Sequence, residues 1–79
     1  MDAPILITGA SGFFGAHLAR AMHRAEIPHV GLVRKTSDCR ALVALGTPLR
    51  YGDVTDVDSL VSAVQGCGAV IHLAGAADV

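Results

Sequence analysis

Along this chain, short unbroken apolar runs alternate with stretches whose apolar residues recur every three or four positions. The runs are Ile5-Leu6-Ile7-Thr8, Val30-Gly31-Leu32-Val33, a weaker and mixed third segment Leu49-Arg50-Tyr51-Gly52 after Pro48, and Ala69-Val70-Ile71-His72-Leu73. Brief apolar runs rich in β-branched residues suit parallel strands covered on both faces. After the first run, Phe14, Leu18, Ala21, Met22 and Ala25 recur at helical spacing, with His17, Arg20 and Arg24 on the opposite side. After the second, Thr36, Ser37 and Asp38 offer capping side chains for a shorter helix through Ala41, Leu42 and Leu45, which Gly46 closes. After the third, Asp56 caps a helix in which Val57, Leu60, Val61 and Val64 fall at i, i+3, i+4 and i+7, with Gly66 as its stop.

The predicted order is β-α-β-α-β-α-β, and connections this short impose parallel strands with right-handed crossovers. The fold class is therefore α/β, a doubly wound parallel sheet with strand order 3-2-1-4. In that order the chain reverses direction between the first and fourth strands, which opens a crevice at their carboxyl ends. The two loops flanking the crevice, Gly9 to Gly15 and Ala74 to Ala77, consist largely of small residues.

The first of these loops carries the clearest chemistry. A strand ending at Thr8 runs through Gly9, Gly12 and Gly15 directly into a helix. Gly9 can take a backbone conformation that a Cβ forbids, Gly12 lets phosphates approach the main chain, and Gly15 lets the helix lie close on its strand. The free N–H groups and positive end of the helix then face the crevice, where a pyrophosphate fits. Ser11, Phe13 and Phe14 lie in the same turn and contribute backbone donors. The spacing G-x-x-G-x-x-G has one more residue between its first two glycines than the commoner dinucleotide fingerprint.

The other strand ends supply further candidates. Arg34 and Lys35 end the second strand, where cofactor-binding folds keep the residue that reads the adenosine ribose. A guanidinium there, with Lys35 beside it, favours a 2′-phosphate over a free hydroxyl, hence NADP over NAD. Asp53 and Val54 follow the carboxyl end of the third strand. Leu73, Ala74, Gly75 and Ala76, after the fourth, approach the cofactor through their main chain. Asp56 is read as a cap alone. His72 is expected to be a packed strand residue bonded to backbone, and His17, His23 and His29 to lie on the surface.

Composition narrows the picture further. Of 79 residues, 52% are hydrophobic and 16% charged, which excludes disorder and suggests surfaces meant to be covered. A net charge of -1 supplies no field for nucleic acid or an anionic membrane surface. No apolar run approaches the ~20 residues of a spanning helix, and Met1-Asp2-Ala3-Pro4 lacks the positive region of a signal peptide, so a cytoplasmic protein is expected. Cys39 and Cys67 are isolated and the four histidines scattered, so no metal site is indicated and the thiols are read as reduced packing residues.

Three segments together carry a family resemblance. Thr8-Gly9-Ala10-Ser11-Gly12-Phe13-Phe14-Gly15 resembles the T-G-x-x-G-[FY]-[IVLF]-G turn of the extended short-chain dehydrogenase/reductases, which include nucleotide-sugar epimerases and dehydratases. Gly52-Asp53-Val54-Thr55-Asp56 resembles that group's G-D-[LVI]-x-D segment, and Val70-Ile71-His72-Leu73-Ala74-Gly75 its V-[IVF]-H-L-A-[AG] strand end. The resemblance implies a Rossmann-like NAD(P)-binding fold and places the adenine at Asp53 and the backbone of Val54. It also implies hydride transfer on a small carbonyl, alcohol or nucleotide-sugar substrate, and a homodimer. The family's Tyr-x-x-x-Lys pair has no counterpart here: the one tyrosine, Tyr51, is followed four places on by Thr55. No catalytic residue is assigned, and residues 1–79 read as the amino-terminal part of a dinucleotide-binding domain within a longer enzyme. The alternative is a non-catalytic nucleotide-binding or redox-sensing module.

Overall fold

A computed structural model of the chain describes residues 3–73, so the proposed contacts of Ala74, Gly75 and Ala76 lie outside the described residues. Pro4 leads into β1 (Ile5–Thr8), followed by α1 (Phe13–Arg24), β2 (His29–Val33), α2 (Arg40–Leu45), β3 (Leu49–Tyr51), α3 (Val57–Ala63) and β4 (Ala69–His72). The four strands form one parallel sheet in the order β3-β2-β1-β4, as the alternating pattern predicts. Ile5 pairs with His29 on one side and Ala69 on the other, and Gly31 of β2 pairs with Leu49 of β3.

The two faces of the sheet have separate cores. Ile7 and Val33 point to one face, where Ala19 and Met22 of α1 and Leu42 of α2 close over them. Leu6, Val30 and Leu32 point to the other, where Ala63 and, at its margin, Leu60 of α3 pack with Cys67. Both thiols are free and partly buried, Cys39 against the first core and Cys67 against the second.

Two helices present a different face from the one their periodicity predicts. In α1 the buried line is Gly15, Ala19 and Met22, whereas Phe14 is 60% exposed. Small side chains at Gly15 and Ala19 allow the closest approach to the sheet, and that contact sets the helix's rotation. In α3 only Ala63 is fully buried, while Val57 and Val61 are 70% and 54% exposed. The helix is held to β3 through Ser59, whose Oγ accepts from the Asp53 N–H at 2.9 Å, so its valines face away.

Helix ends follow local chemistry. The Asp56 carboxylate caps α3 by accepting from the N–H groups of Asp58 and Ser59, as expected. That helix stops at Ala63, ahead of Gly66, which instead turns the chain toward β4 with φ 77°. The start of α2 differs from expectation too: its first flanking position is Cys39 with no side-chain cap, although Asp38 accepts from the Arg40 N–H at 3.2 Å.

Candidate functional site

β1 and β4 are neighbours although the rest of the chain intervenes, so their carboxyl ends flank the crevice that the reversal of direction opens. The turn above β1 is shaped by two glycines. Gly9 sits at φ 67°, in the left-handed region that side chains disfavour, and its carbonyl accepts from the Gly12 N–H at 3.0 Å. A Cβ on Gly15 would stand 2.3 Å from the Gly9 oxygen and 2.6 Å from Ala10 Cα, so no other residue lets α1 start this close to β1.

The resulting helix start is open. Gly12 is its extended flanking residue without a side-chain cap, and the first-turn N–H groups of Phe13, Phe14 and Gly15 meet no acceptor among the described residues. Three aligned donors at the positive end of a twelve-residue helix suit an anionic group, and the missing Cβ atoms leave the main chain exposed to it. Phe13 is 73% exposed, meeting Phe14 edge-to-face at 5.4 Å and the His17 ring at 4.5 Å. Phe13 and His17, with Ser11, Gly12, Ala16 and Arg20, line a groove of about 180 Å³.

At the end of β2, Arg34 and Lys35 are exposed and begin a tight turn in which the Arg34 N–H donates to Ser37 Oγ at 3.1 Å and the Ser37 N–H to the Arg34 carbonyl at 3.0 Å. Beyond β3, the Asp53 carboxylate accepts from the Thr55 N–H at 2.9 Å and the Thr55 hydroxyl at 2.8 Å. Those two bonds, helped by the nearby Arg34 charge, hold the carboxyl below the ordinary carboxylate range. Both contacts with Thr55 fall on one carboxylate oxygen, and the other meets no donor among the described residues. Val54 is exposed next to it.

Beyond β4, the Leu73 N–H donates to the Thr8 carbonyl at 3.2 Å and to Thr8 Oγ1 at 3.0 Å, locking the ends of β1 and β4 together. His72 is exposed, and its Nδ1 lies 2.7 Å from that same hydroxyl, a side-chain partner where a backbone bond was expected. Thr8 and Ser59 thus hold site loops in place, although neither stands out in the sequence. Thr8 has a signal only in retrospect, as the last residue of a strand that must be tied to a neighbour distant in sequence. His17 and His23 are exposed as expected, but His29 is 8% exposed, because β2 runs through the middle of the sheet and starts one residue earlier than its apolar run.

No helix of the described residues is long and apolar enough to cross a membrane, and no cluster of metal-ligating side chains occurs among them.

Comparison with known proteins agrees with this geometry. The chain is 36% identical over 69 residues to sterol demethylase protein B of Methylococcus capsulatus, covering 87% of this chain and 21% of that protein. It spans about a quarter of the length of other curated relatives. Among solved structures, a nucleoside-diphosphate-sugar epimerase from Pseudomonas aeruginosa superposes with a TM-score of 0.81 at 29% identity over 91% of this chain and 24% of its own. An NADPH-dependent quinone oxidoreductase from Escherichia coli superposes with a TM-score of 0.75 at 32% identity, over 86% of this chain and 26% of its own. The model of the NAD dependent epimerase/dehydratase family matches residues 5–79, and the chain belongs to that family.

Proposed function

We propose that this chain is the NADP(H)-binding part of an oxidoreductase or epimerase-like enzyme acting on a small carbonyl, alcohol or nucleotide-sugar substrate. The observation that carries the reading is the open first turn of α1, three N–H donors above a glycine bend at the mouth of the β1/β4 crevice. In this reading the pyrophosphate lies on the backbone of Ser11 to Gly15, and the nicotinamide lies toward the main chain from Leu73 to Ala76. The adenosine points to the ends of β2 and β3, with Arg34 and Lys35 meeting its 2′-phosphate, and Asp53 and Val54 its base. The cofactor would supply the hydride, and this chain's residues bind and orient it.

The exposed valine face of α3 and the coverage of relatives support a longer protein in which this unit is the amino-terminal part of the binding domain. Substrate choice and any partner subunit then reside outside residues 1–79.

The test is fluorescence titration of the full-length protein with NADPH and NADH. NADPH is expected to bind more tightly, and Arg34→Ala to weaken NADPH by about tenfold while leaving NADH unchanged, the effect of losing one charge-assisted hydrogen bond. Equal affinity for both would overturn the role of Arg34, and no binding of either would overturn the site.

A further inference from the structure

A wider cavity than the groove beside the start of α1 lies at the opposite end of the sheet. An open groove of about 670 Å³ lies at the amino ends of β2 and β3, beneath the last turn of α1. Pro4, Met22, Ile27 and Leu49 supply apolar wall, and Glu26, His29 and Arg50 are among its polar groups. This volume falls within the range of small-molecule sites, which are typically apolar with a few convergent polar groups.

Two buried polar atoms here have no partner. The His29 ring is fastened at Nδ1, which lies 2.8 Å from the Ile27 carbonyl and so carries the donated proton, and in the neutral ring this makes Nε2 the acceptor. That Nε2 is sealed from solvent and unbonded, and so is Thr47 Oγ1. Thr47 lies two residues before β3, in the turn after α2, where its N–H donates to the Leu42 carbonyl at 3.0 Å. Buried polar atoms are nearly always satisfied, so the orphaned Nε2 in the groove wall calls for a donor that the described residues do not provide.

The rim is built unusually as well. The chain leaves α1 through Glu26, whose N–H donates to the His23 carbonyl while the Ile27 N–H donates to the Met22 carbonyl. This is the helix ending in which glycine customarily occupies the left-handed position, yet Glu26 holds it at φ 57° and brings a carboxylate to the groove. The nearest permanent cation, Arg50, is turned to the carbonyls of Ala63 and Gln65. The groove therefore offers a carboxylate and the negative end of α1 over apolar walls, with the buried Nε2 of the lining residue His29 behind them.

We infer that this groove is a second binding site, for a small organic ammonium with an apolar body. The ammonium meets the carboxylate of Glu26 at the rim and donates inward to His29 Nε2, and Met22, unbranched and flexible, shifts to admit it.

The test is calorimetric titration of the full-length protein with n-hexylammonium and, as the neutral control, 1-hexanol, with the His29 ring nitrogens followed by NMR. Hexylammonium is expected to bind about tenfold more tightly than hexanol and to move the Nε2 resonance. His29→Phe and Glu26→Gly should each weaken it several-fold. Glu26→Gly relieves the left-handed residue and should melt no lower than the native protein, so weaker binding there is not unfolding. NADPH affinity, read at the other end of the sheet, should be unchanged in both variants. Equal binding of hexanol, no binding of either probe, or full binding by His29→Phe overturns the inference without touching the dinucleotide site.

Discussion

The two faces of the sheet are closed to very different degrees. Against one face, α1 and α2 seal Ile7, Val33 and Leu42 in a core that two helices complete from both sides. Against the other, α3 meets the sheet mainly through Ala63 and Leu60, and the valines of α3 together with Val70 of β4 remain exposed. The lesson is that the glycine turn rests on the finished face, where its geometry is enforced by packing. The unfinished face is apolar by composition and needs a cover that the described residues do not provide.

The comparison breaks most directly at Gly15. Its replacement by alanine forces a Cβ into the Gly9 carbonyl and should cost about 3 kcal/mol or more, with NADPH binding lost, read by urea unfolding and fluorescence titration. Leu42→Ala, a truncation in the sealed core, should cost roughly 3 kcal/mol by the same unfolding assay while leaving the turn intact. Asp56→Ala removes the α3 cap and should cost about 1 kcal/mol.

Val61→Ser on the open face should change stability by less than about 0.5 kcal/mol in residues 1–79 alone, and more in a longer protein that covers it. Were it to cost as much in the short chain as Leu42→Ala, the two faces would be equally closed and the contrast would fail.

The smallest effect lies at Asp38, where the side-chain hydrogen bonds from Arg40 lower the carboxyl from its ordinary 3.8 to about 2. A folded-state value below the unfolded one means that the pair stabilises the fold above the ordinary carboxylate range. That stabilisation is lost as pH falls through about 2. Both side chains are exposed, so the check is the Asp38 midpoint by NMR, which Arg40→Ala should return toward 3.8.

Much of this was readable before any coordinates. Short apolar runs, the mixed segment after Pro48 and the helical periods between them identified every element, and short connections gave the strand order. The glycine turn was legible because Gly9 and Gly15 answer to backbone constraints that no other residue type satisfies. The faces of α1 and α3 were not legible in the same way. Periodicity reports that a stripe is apolar, whereas burial goes to whichever stripe can approach most closely. Gly15 and Ala19 won over Phe14 by being small, and α3 turned on the hydroxyl of Ser59. Nor was the burial of His29 readable, since a histidine at the start of a run looks the same in a central strand as in an edge strand.

Local constraints, written residue by residue, thus determined the elements, their order and the bend that opens the first helix. The tertiary structure alone decided which helix faces are covered, how Thr8 ties β1 to β4, and that the polar atoms His29 Nε2 and Thr47 Oγ1 are sealed in without partners. Those outcomes depend on contacts between residues far apart in the chain, and no pattern along a single segment encodes such distances.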